Sequence, residues 1–239
     1  MTDSLVHAYR LGLLLCALVP LSAWAQPSPS SPSATAGKIP LLDGVWQGPY
    51  VPDTSRALGH DLPLTAFGKE KFKSVDTAND PTSYCLPVGP ARAIQAPFPF
   101  QIVQSPAIVT ILFEYQRTFR IIYLDGREHP KDWEPEWYGH SVGHWEGGDT
   151  LVVDTVNLDE RSWIDTAGHQ HSNKLHLTER FQKVEKDVIR WTVTFEDPVF
   201  FTEPWSITTN LKRQDTAIMS YSCEENEKDR VHLDSSKNR

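Results

Sequence analysis

The sequence predicts an all-β fold, a single antiparallel barrel or strongly curled sheet. Nearly every periodic segment alternates apolar and polar residues with a period of two, as half-buried strands do. These segments are short and follow one another at hairpin spacing. Only residues 65–75 resemble a helix, with Thr65 as its possible N-cap. Many short strands at such spacing are typical of an antiparallel sandwich or a closed barrel.

The predicted strands follow from this alternation in chain order. They cover residues 108–115, 118–125, 150–156, 174–181, 188–196, 205–212 and 217–223. Turn residues separate them, most clearly Gly147-Gly148-Asp149 and Lys186-Asp187. Before them, Asp43-Gly-Val-Trp46 opens the first strand and resembles the Gly-x-Trp signature of lipocalin-type (calycin) barrels, whose tryptophan closes one end. A barrel of about eight strands has just enough interior for side chains or one small ligand.

The two ends of the chain differ in composition from its middle. Residues 1–25 have the features of an export signal: Arg10, an apolar run over 11–21, and the small-x-small sequence Ala23-Trp24-Ala25. Residues 26–37 form a Pro/Ser-rich linker, 38–226 the barrel domain and 227–239 a charged tail. We therefore expect a periplasmic or secreted protein that is not inserted in a membrane after signal cleavage.

Charge and cysteine content narrow the partners and the compartment. The net charge is −8 and no basic patch is present, which argues against nucleic acid and anionic membranes as partners. Signal cleavage removes Cys16 and leaves Cys85 and Cys223. Two cysteines in an exported protein favour a disulfide, which over so long a loop contributes roughly 4–5 kcal/mol in the chain-entropy model.

Strand alternation groups the polar residues into faces but leaves two arrangements open. His176 and Arg180 share the face opposite Leu177, and Arg120 lies opposite the face of its apolar neighbours. These polar faces can simply meet solvent, as charged residues mostly do. Alternatively, some point into the barrel and form ion pairs such as Glu114–Arg120.

The histidines suggest acid–base chemistry more than metal binding. His169-x-His171, with His176 or Glu179, has ligand types suited to zinc, but the turn at Gly168 leaves the direction of the ligands undefined. We therefore expect no cofactor, with zinc as the alternative. His171 or His176, held by a carboxylate, can instead act as a general base near neutral pH. The serine next to His140 lacks the strand–turn–helix context of a nucleophile elbow, which argues against a hydrolase triad there.

Several longer motifs extend from about residue 84 to 225. They are Cys85-Leu-Pro, Gln101-Ile-Val-Gln-Ser-Pro106, Phe113-Glu-Tyr115, Arg120-Ile-Ile-Tyr-Leu-Asp-Gly-Arg127, His129-Pro130, Gly143-His-Trp-Glu-Gly147, Asp149-Thr-Leu-Val-Val-Asp-Thr155, His171-Ser172, Leu175-His-Leu-Thr-Glu-Arg180 and Cys223-Glu-Glu-Asn226. With them the chain resembles a large family of exported bacterial proteins of unassigned function.

The resemblance implies no reaction, but it marks which polar residues belong to the family pattern: Glu114, Arg120, Asp125, His129, His171, His176, Glu179 and Arg180. The pattern tolerates other residues at His140 and His144.

Two functional hypotheses follow. The first is a cofactor-independent lyase, dehydratase or isomerase acting on a small apolar or aromatic molecule. Its candidate catalytic residues are His171, His176, Glu114, Arg120, Glu179 and Arg180. Its candidate substrate-binding residues are Tyr123, His129, His140, Trp145 and Trp163.

The second hypothesis is a non-catalytic, lipocalin-like carrier of a small apolar ligand, in which the polar cluster pins the strands or anchors the ligand. An enzyme needs histidine and carboxylate within hydrogen-bond reach in a space open to substrate. A carrier needs a deep cavity with few ionisable groups. If the face of His176 is exposed to solvent, the histidines are structural and the carrier hypothesis takes precedence.

Overall fold

The computed structural model describes residues 39–223, so the predicted signal, linker and charged tail lie outside the described residues. Nine strands form a closed barrel. They are β1 (Gly44–Gln47), β2 (Phe100–Gln104), β3 (Ile108–Phe113), β4 (Phe119–Tyr123), β5 (His140–Glu146), β6 (Thr150–Val156), β7 (His176–Glu185), β8 (Val188–Glu196) and β9 (Trp205–Gln214). The helices are short: α1 (Thr54–Leu58), α2 (Ala66–Ser74) and α3 (Pro90–Ile94), with 3₁₀ turns at Thr77–Asn79, Pro81–Tyr84 and Tyr115–Arg117. None of the described helices is long and apolar enough to cross a membrane.

Each strand pairs with its neighbours in sequence, and β9 pairs with β1 to close the barrel. The all-β barrel prediction is confirmed, with one exception to the antiparallel pattern. β4 and β5 run parallel, pairing Ile122 with Ser141 and Tyr123 with Val142. A parallel pair cannot be joined by a tight hairpin, so the chain needs a longer crossover. Residues 124–139 provide it, and we call them the crossover loop.

The interior of the barrel is filled by side chains. Inward positions alternate along the strands, as in Val109, Ile111 and Ile122, and all of these are fully buried. The space enclosed by Leu42, Ile102, Val109, Ile111, Ile122, Leu151 and Phe181 has a volume of about 0 Å³ for a water-sized occupant. This layer of the barrel therefore has no room for a ligand.

Trp46 packs at the end of the barrel where β1 begins. It is fully buried, and its indole Nε1 donates to the Leu42 carbonyl oxygen at 2.8 Å. The Lys183 ammonium and the Arg213 guanidinium lie 4.9 Å and 5.7 Å from the ring centroid. β7 and β9, which come late in the chain, thus supply the two cations next to this tryptophan.

The structure contains α2 and all the predicted strands except the last, and it adds β2, α1 and α3, which the alternation did not predict. β6 and β8 have the predicted bounds, and the Thr65 hydroxyl caps α2 by accepting from the Gly68 N–H. The strand predicted over 217–223 is wrong, because these residues are irregular. The physical reason is closure: β9 is already paired with β8 and β1, so no sheet edge is left for another strand.

The predicted disulfide between Cys85 and Cys223 is confirmed, and it joins positions separated by 138 residues. It ties the irregular segment after β9 to the turn before α3. A disulfide is consistent with an oxidising compartment.

Candidate functional site

Arg120 and Glu179 form an ion pair inside the barrel. Their residues are 2% and 0% exposed, and the pair links β4 to β7. The Arg120 guanidinium also donates to Ser141 Oγ at 3.0 Å and to Thr155 Oγ1 at 2.7 Å, and Trp191 Nε1 donates to Glu179 Oε1 at 3.1 Å. Of the two arrangements left open by the sequence, the inward ion pair is the one found for Arg120, and its partner is Glu179 rather than Glu114. The ion pair is enclosed by protein and therefore holds β4 and β7 together.

Glu114 and Arg180 do not join this group. Glu114 lies at the end of β3, and its carboxylate accepts the Met219 N–H at 2.7 Å, which anchors the segment after β9. Arg180 follows Glu179 directly, so it points to the outer face, where it pairs with Glu146 at 2.7 Å between exposed side chains. The predicted catalytic residues are thus divided between the interior, a barrel end and the exterior.

His171 is buried in a separate network. Its Nδ1 donates to the Ser172 carbonyl at 2.9 Å, and its Nε2 is 2.8 Å from Ser162 Oγ. Burial lowers the pKa of His171 below its usual value. The residue shares with Trp163 the wall of a cavity of about 10 Å³. Such a space holds about one water at most, so neither side chain meets a substrate there.

Four side chains converge on the outer face of β5, β6 and β7, and we call them the His–Asp cluster: His129, His140, Asp154 and His176. Asp154 and His176 occupy outward positions on β6 and β7, and His140 begins β5. His129 comes from the crossover loop. Asp154 Oδ1 accepts from His129 Nε2 at 2.7 Å, and Asp154 Oδ2 pairs with His176 Nε2. His129 Nδ1 and His140 Nδ1 are 2.8 Å apart. Three histidines are thereby connected to a single carboxylate.

The hydrogen bonds assign the protons within this cluster. A carboxylate only accepts, so His129 donates from Nε2, and in its neutral form its Nδ1 must accept from His140 Nδ1–H. The unprotonated nitrogen of His140 is then Nε2. That nitrogen hydrogen-bonds to no other group within residues 39–223. The relay Asp154–His129–His140 therefore ends in a free imidazole lone pair.

The environment separates the pKa values of the two outer histidines. Its hydrogen bond to Asp154 raises the pKa of His176. Burial, helped by the charges of His129 and Arg127, lowers the pKa of His140. Burial opposes ionisation of Asp154, but the hydrogen bonds from His176 and His129 outweigh it, so the pKa of Asp154 is lowered. His176 therefore keeps its proton to a higher pH than an ordinary histidine, and His140 stays neutral to a lower pH than one.

Aromatic rings surround His140. The Tyr123 ring stacks on it at a centroid distance of 5.4 Å, and the Trp133 ring lies 5.4 Å away. Trp133 is 45% exposed, so its ring faces solvent beside the cluster. The Arg127 guanidinium covers the Tyr123 ring, at 3.7 Å from its centroid. Of the predicted substrate-binding residues, Tyr123, His129 and His140 come together here. Trp163 does not, and Trp145 is partly buried against the core.

Sequence reasoning missed Asp154 and Trp133 as members of this site. Asp154 is the single acid in the apolar run of β6, and that isolation was a usable signal. Trp133 lies in the polar crossover loop, four residues after His129, and only the loop's path brings it to His140.

A second histidine network joins α1 to the segment before β7. His169 Nδ1 donates to Asp165 Oδ2 at 2.6 Å, and Ser55 Oγ lies 3.2 Å from His169 Nε2. The Phe72 ring stacks on His169 at 4.1 Å. Asp165 also accepts the Thr54 N–H at 2.8 Å. This is the order of groups in a Ser–His–Asp triad.

The zinc set suggested by the sequence is not assembled. His169, His171, His176 and Glu179 each belong to a different network. A different trio, Asp53, Asp165 and His169, brings its ligand atoms within 4.8 Å of one another. Its donors are already engaged: Asp53 caps α1, and the other two are joined to each other.

No protein-family model matches this chain, and no curated protein matches its sequence. The proposals below therefore depend on the geometry.

Proposed function

We propose that the protein is an exported, cofactor-independent enzyme that moves protons on a small aromatic molecule at the His–Asp cluster. His140 is the general base and His176 the general acid. The observation that carries the proposal is that two histidines joined through Asp154 and His129 have pKa values pushed in opposite directions. Separated pKa values within one site are how enzymes obtain an acid and a base at the same pH.

The proposed base is oriented by its own hydrogen bonds. His140 Nδ1–H donates to His129, which in turn donates to Asp154, so the imidazolium formed when Nε2 takes a proton is stabilised through the relay. Burial keeps His140 neutral beforehand. A C–H proton next to an electron-withdrawing group is the kind of proton that such a base removes.

The proposed acid keeps one proton available for the substrate. His176 Nε2–H is bound to Asp154, whereas Nδ1 lies 3.7 Å from Glu196 Oε2, beyond a normal hydrogen bond. The His176 side chain is 35% exposed, so the Nδ1–H can meet a leaving hydroxyl or a carbanion and recover its proton from water. Removal at one atom and delivery at another is the chemistry of a lyase, dehydratase or isomerase.

The substrate class follows from the aromatic residues beside the His–Asp cluster. Trp133 offers an exposed ring beside the His140 imidazole, and aromatic faces favour offset or edge contacts with a planar ligand. The disulfide agrees with an oxidising compartment, and we propose the periplasm or the cell exterior.

The carrier hypothesis has one point in its favour and one against it. His176 faces solvent, which the sequence analysis counted toward a carrier. However, a carrier of lipocalin type stores its ligand in the barrel interior, and the central layer there is filled. The site also holds more ionisable groups than a carrier needs. The enzyme is the better-supported proposal.

Proton exchange tests the proposal without knowledge of the product. The protein is incubated in D₂O with a panel of small aromatic ketones and hydroxy acids that carry an acidic C–H, and deuterium incorporation is followed by ¹H NMR. We expect exchange with at least one compound, and a loss of about 10²–10⁴-fold in His140→Gln and His176→Gln, both of which should remain folded by circular dichroism.

His144→Gln is the matched control, because His144 is an exposed histidine of β5 outside the cluster. It should exchange like the wild type. The proposal fails if no compound exchanges, or if the two cluster variants exchange as fast as this control.

The Ser55–His169–Asp165 chain supports a second candidate function, an esterase with Ser55 as nucleophile. In it Nδ1–H of His169 is held by Asp165, so Nε2 is free to accept the Ser55 proton. The same bonds also have a structural role in fastening α1, which places this candidate second. A fluorophosphonate probe should label Ser55, as identified by peptide mass spectrometry, and should not label Ser55→Ala. Absence of label on Ser55 in the wild type would eliminate this candidate.

A further inference from the structure

A recess in the surface shares no lining residue with the His–Asp cluster. Its volume is about 290 Å³, and we call it the aromatic cleft. It is lined by Tyr50, Val51, Arg92, Gln95, Ala96, Pro97, Phe98, Tyr115, Thr166 and Tyr221. A recess near 300 Å³, walled by aromatic rings with a few polar atoms, has the character of a small-molecule site.

The rings of the cleft are held by one another. Phe98 and Tyr115 stack with centroids 4.9 Å apart and planes at 7°. Tyr221 packs against both, at 5.3 Å from Phe98 and 5.7 Å from Tyr115. Tyr50 is about half exposed and lines the same recess. A flat ring can therefore enter between surfaces that are already ordered.

The polar part of the cleft wall contains an unpaired acceptor. Gln95 is 2% exposed, and its Nε2 donates to the Ala91 carbonyl at 3.2 Å. Its Oε1 is fully buried and has no hydrogen-bond partner within residues 39–223. A buried carbonyl without a donor costs free energy. Gln95 lines the cleft, so a rotation of its amide would bring Oε1 to the recess, where a ligand N–H or O–H would supply the missing donor. The donor must come from the ligand because the neighbouring cation is engaged: Arg92 donates to both Asp80 oxygens, at 3.0 Å and 2.5 Å.

We propose that the aromatic cleft binds a planar, neutral aromatic molecule that carries one N–H or O–H donor. The ring lies against Tyr50, Phe98 and Tyr221, and the donor bonds to Gln95 Oε1. A carboxylate or phosphate on the ligand is not required, because Arg92 is neutralised by Asp80.

The disulfide controls one wall of this site. Tyr221 lies two residues before Cys223, in the irregular segment that the bridge to Cys85 ties down. Reduction leaves this segment held by weaker contacts such as the Met219 hydrogen bond to Glu114. Binding in the cleft should therefore weaken when the bridge is reduced.

The test compares two probes of the same shape, indole with its N–H and benzothiophene with sulfur in its place. Dissociation constants are measured by isothermal titration calorimetry on the full chain. One neutral hydrogen bond contributes enough for indole to bind roughly 3- to 10-fold more tightly. In Gln95→Met this preference should disappear while benzothiophene binding is retained, because the acceptor is lost and the side-chain length is kept.

Two further variants keep the test decisive. Gln182→Met changes a glutamine of β7 that does not line the cleft, and it should leave both dissociation constants unchanged. Tyr50→Ala should weaken both probes with the indole preference intact. Should Gln95→Met fail to fold, the Gln95 side-chain amide signals of the wild type replace it, and only indole should shift them.

The proposal is overturned if neither probe binds, if indole shows no preference in the wild type, or if the preference persists in Gln95→Met. None of these results touches the His–Asp cluster, whose proton exchange is measured separately.

Discussion

Glu179→Leu should be the most damaging single replacement in the barrel. Glu179 is 0% exposed and is the counter-ion of Arg120, which is itself 2% exposed. The leucine would leave a guanidinium charge without a partner in the interior. It would also remove the acceptor of Trp191 Nε1, which now donates at 3.1 Å.

The expected loss is large compared with total stability. Breaking a buried ion pair by removing one partner costs about 3–5 kcal/mol, out of roughly 5–15 kcal/mol for a typical domain. For a domain of this size each kcal/mol shifts the melting temperature by about 2–4 °C, so the variant should melt roughly 6–20 °C lower. Replacing both partners in Arg120→Met/Glu179→Leu should recover much of this loss, because no unpaired charge then remains.

Urea denaturation followed by tryptophan fluorescence measures these differences. Arg180→Met serves as the control, since its pair with Glu146 is exposed and should scarcely move the midpoint. The predicted role of this ion pair is refuted if Glu179→Leu proves as stable as that control. It is also refuted if the double variant loses as much free energy of unfolding as the two single variants together, because the two residues would then not act as a pair.

Three further predictions concern the disulfide and two histidines. Cys85→Ala/Cys223→Ala should lower the free energy of unfolding by about 5 kcal/mol in the chain-entropy model for a 138-residue separation, measured by urea denaturation against unreduced wild type. The raised pKa of His176 means that its bond to Asp154 stabilises the fold fully below pH 6.5 and less as pH rises through the higher folded pKa. The difference in free energy of unfolding between wild type and His176→Gln, measured by urea denaturation, should therefore shrink as pH rises above 6.5. The lowered pKa of His171 has the opposite effect on stability, because the unfolded chain takes up this proton at a higher pH than the folded protein does. The free energy of unfolding of the wild type should therefore fall as pH drops below 6.5. In His171→Gln the free energy of unfolding, measured by urea denaturation, should depend less on pH.

Each has a plain contrary result. Free thiols at both cysteine positions in denatured, unreduced protein would contradict the first prediction, because there would be no disulfide to stabilise the fold. An advantage over His176→Gln that grows with pH would reverse the sign assigned to the second. A His171→Gln profile as acid-sensitive as the wild type would contradict the third.

The sequence by itself determined the elements of this fold and the residues that share a face. Alternation in β7 already separates Leu177 and Phe181 from His176 and Arg180, because successive side chains of a strand point to opposite sides. The cysteine pair followed from the sequence once Cys16 was assigned to the predicted export signal, because the two remaining cysteines have one way to pair.

Only the tertiary structure decided which face looks inward and which distant residues meet. Alternation already put Glu179 on the face of Leu177 and Phe181, but it could not tell that Arg120 turns into the core, because a polar face and a paired interior give the same period. The His–Asp cluster depends on the parallel step from β4 to β5, which sends the crossover loop over β6 and sets His129 against Asp154. That contact spans 25 residues of chain, and such a distance is closed by strand pairing around the barrel, which no local pattern encodes.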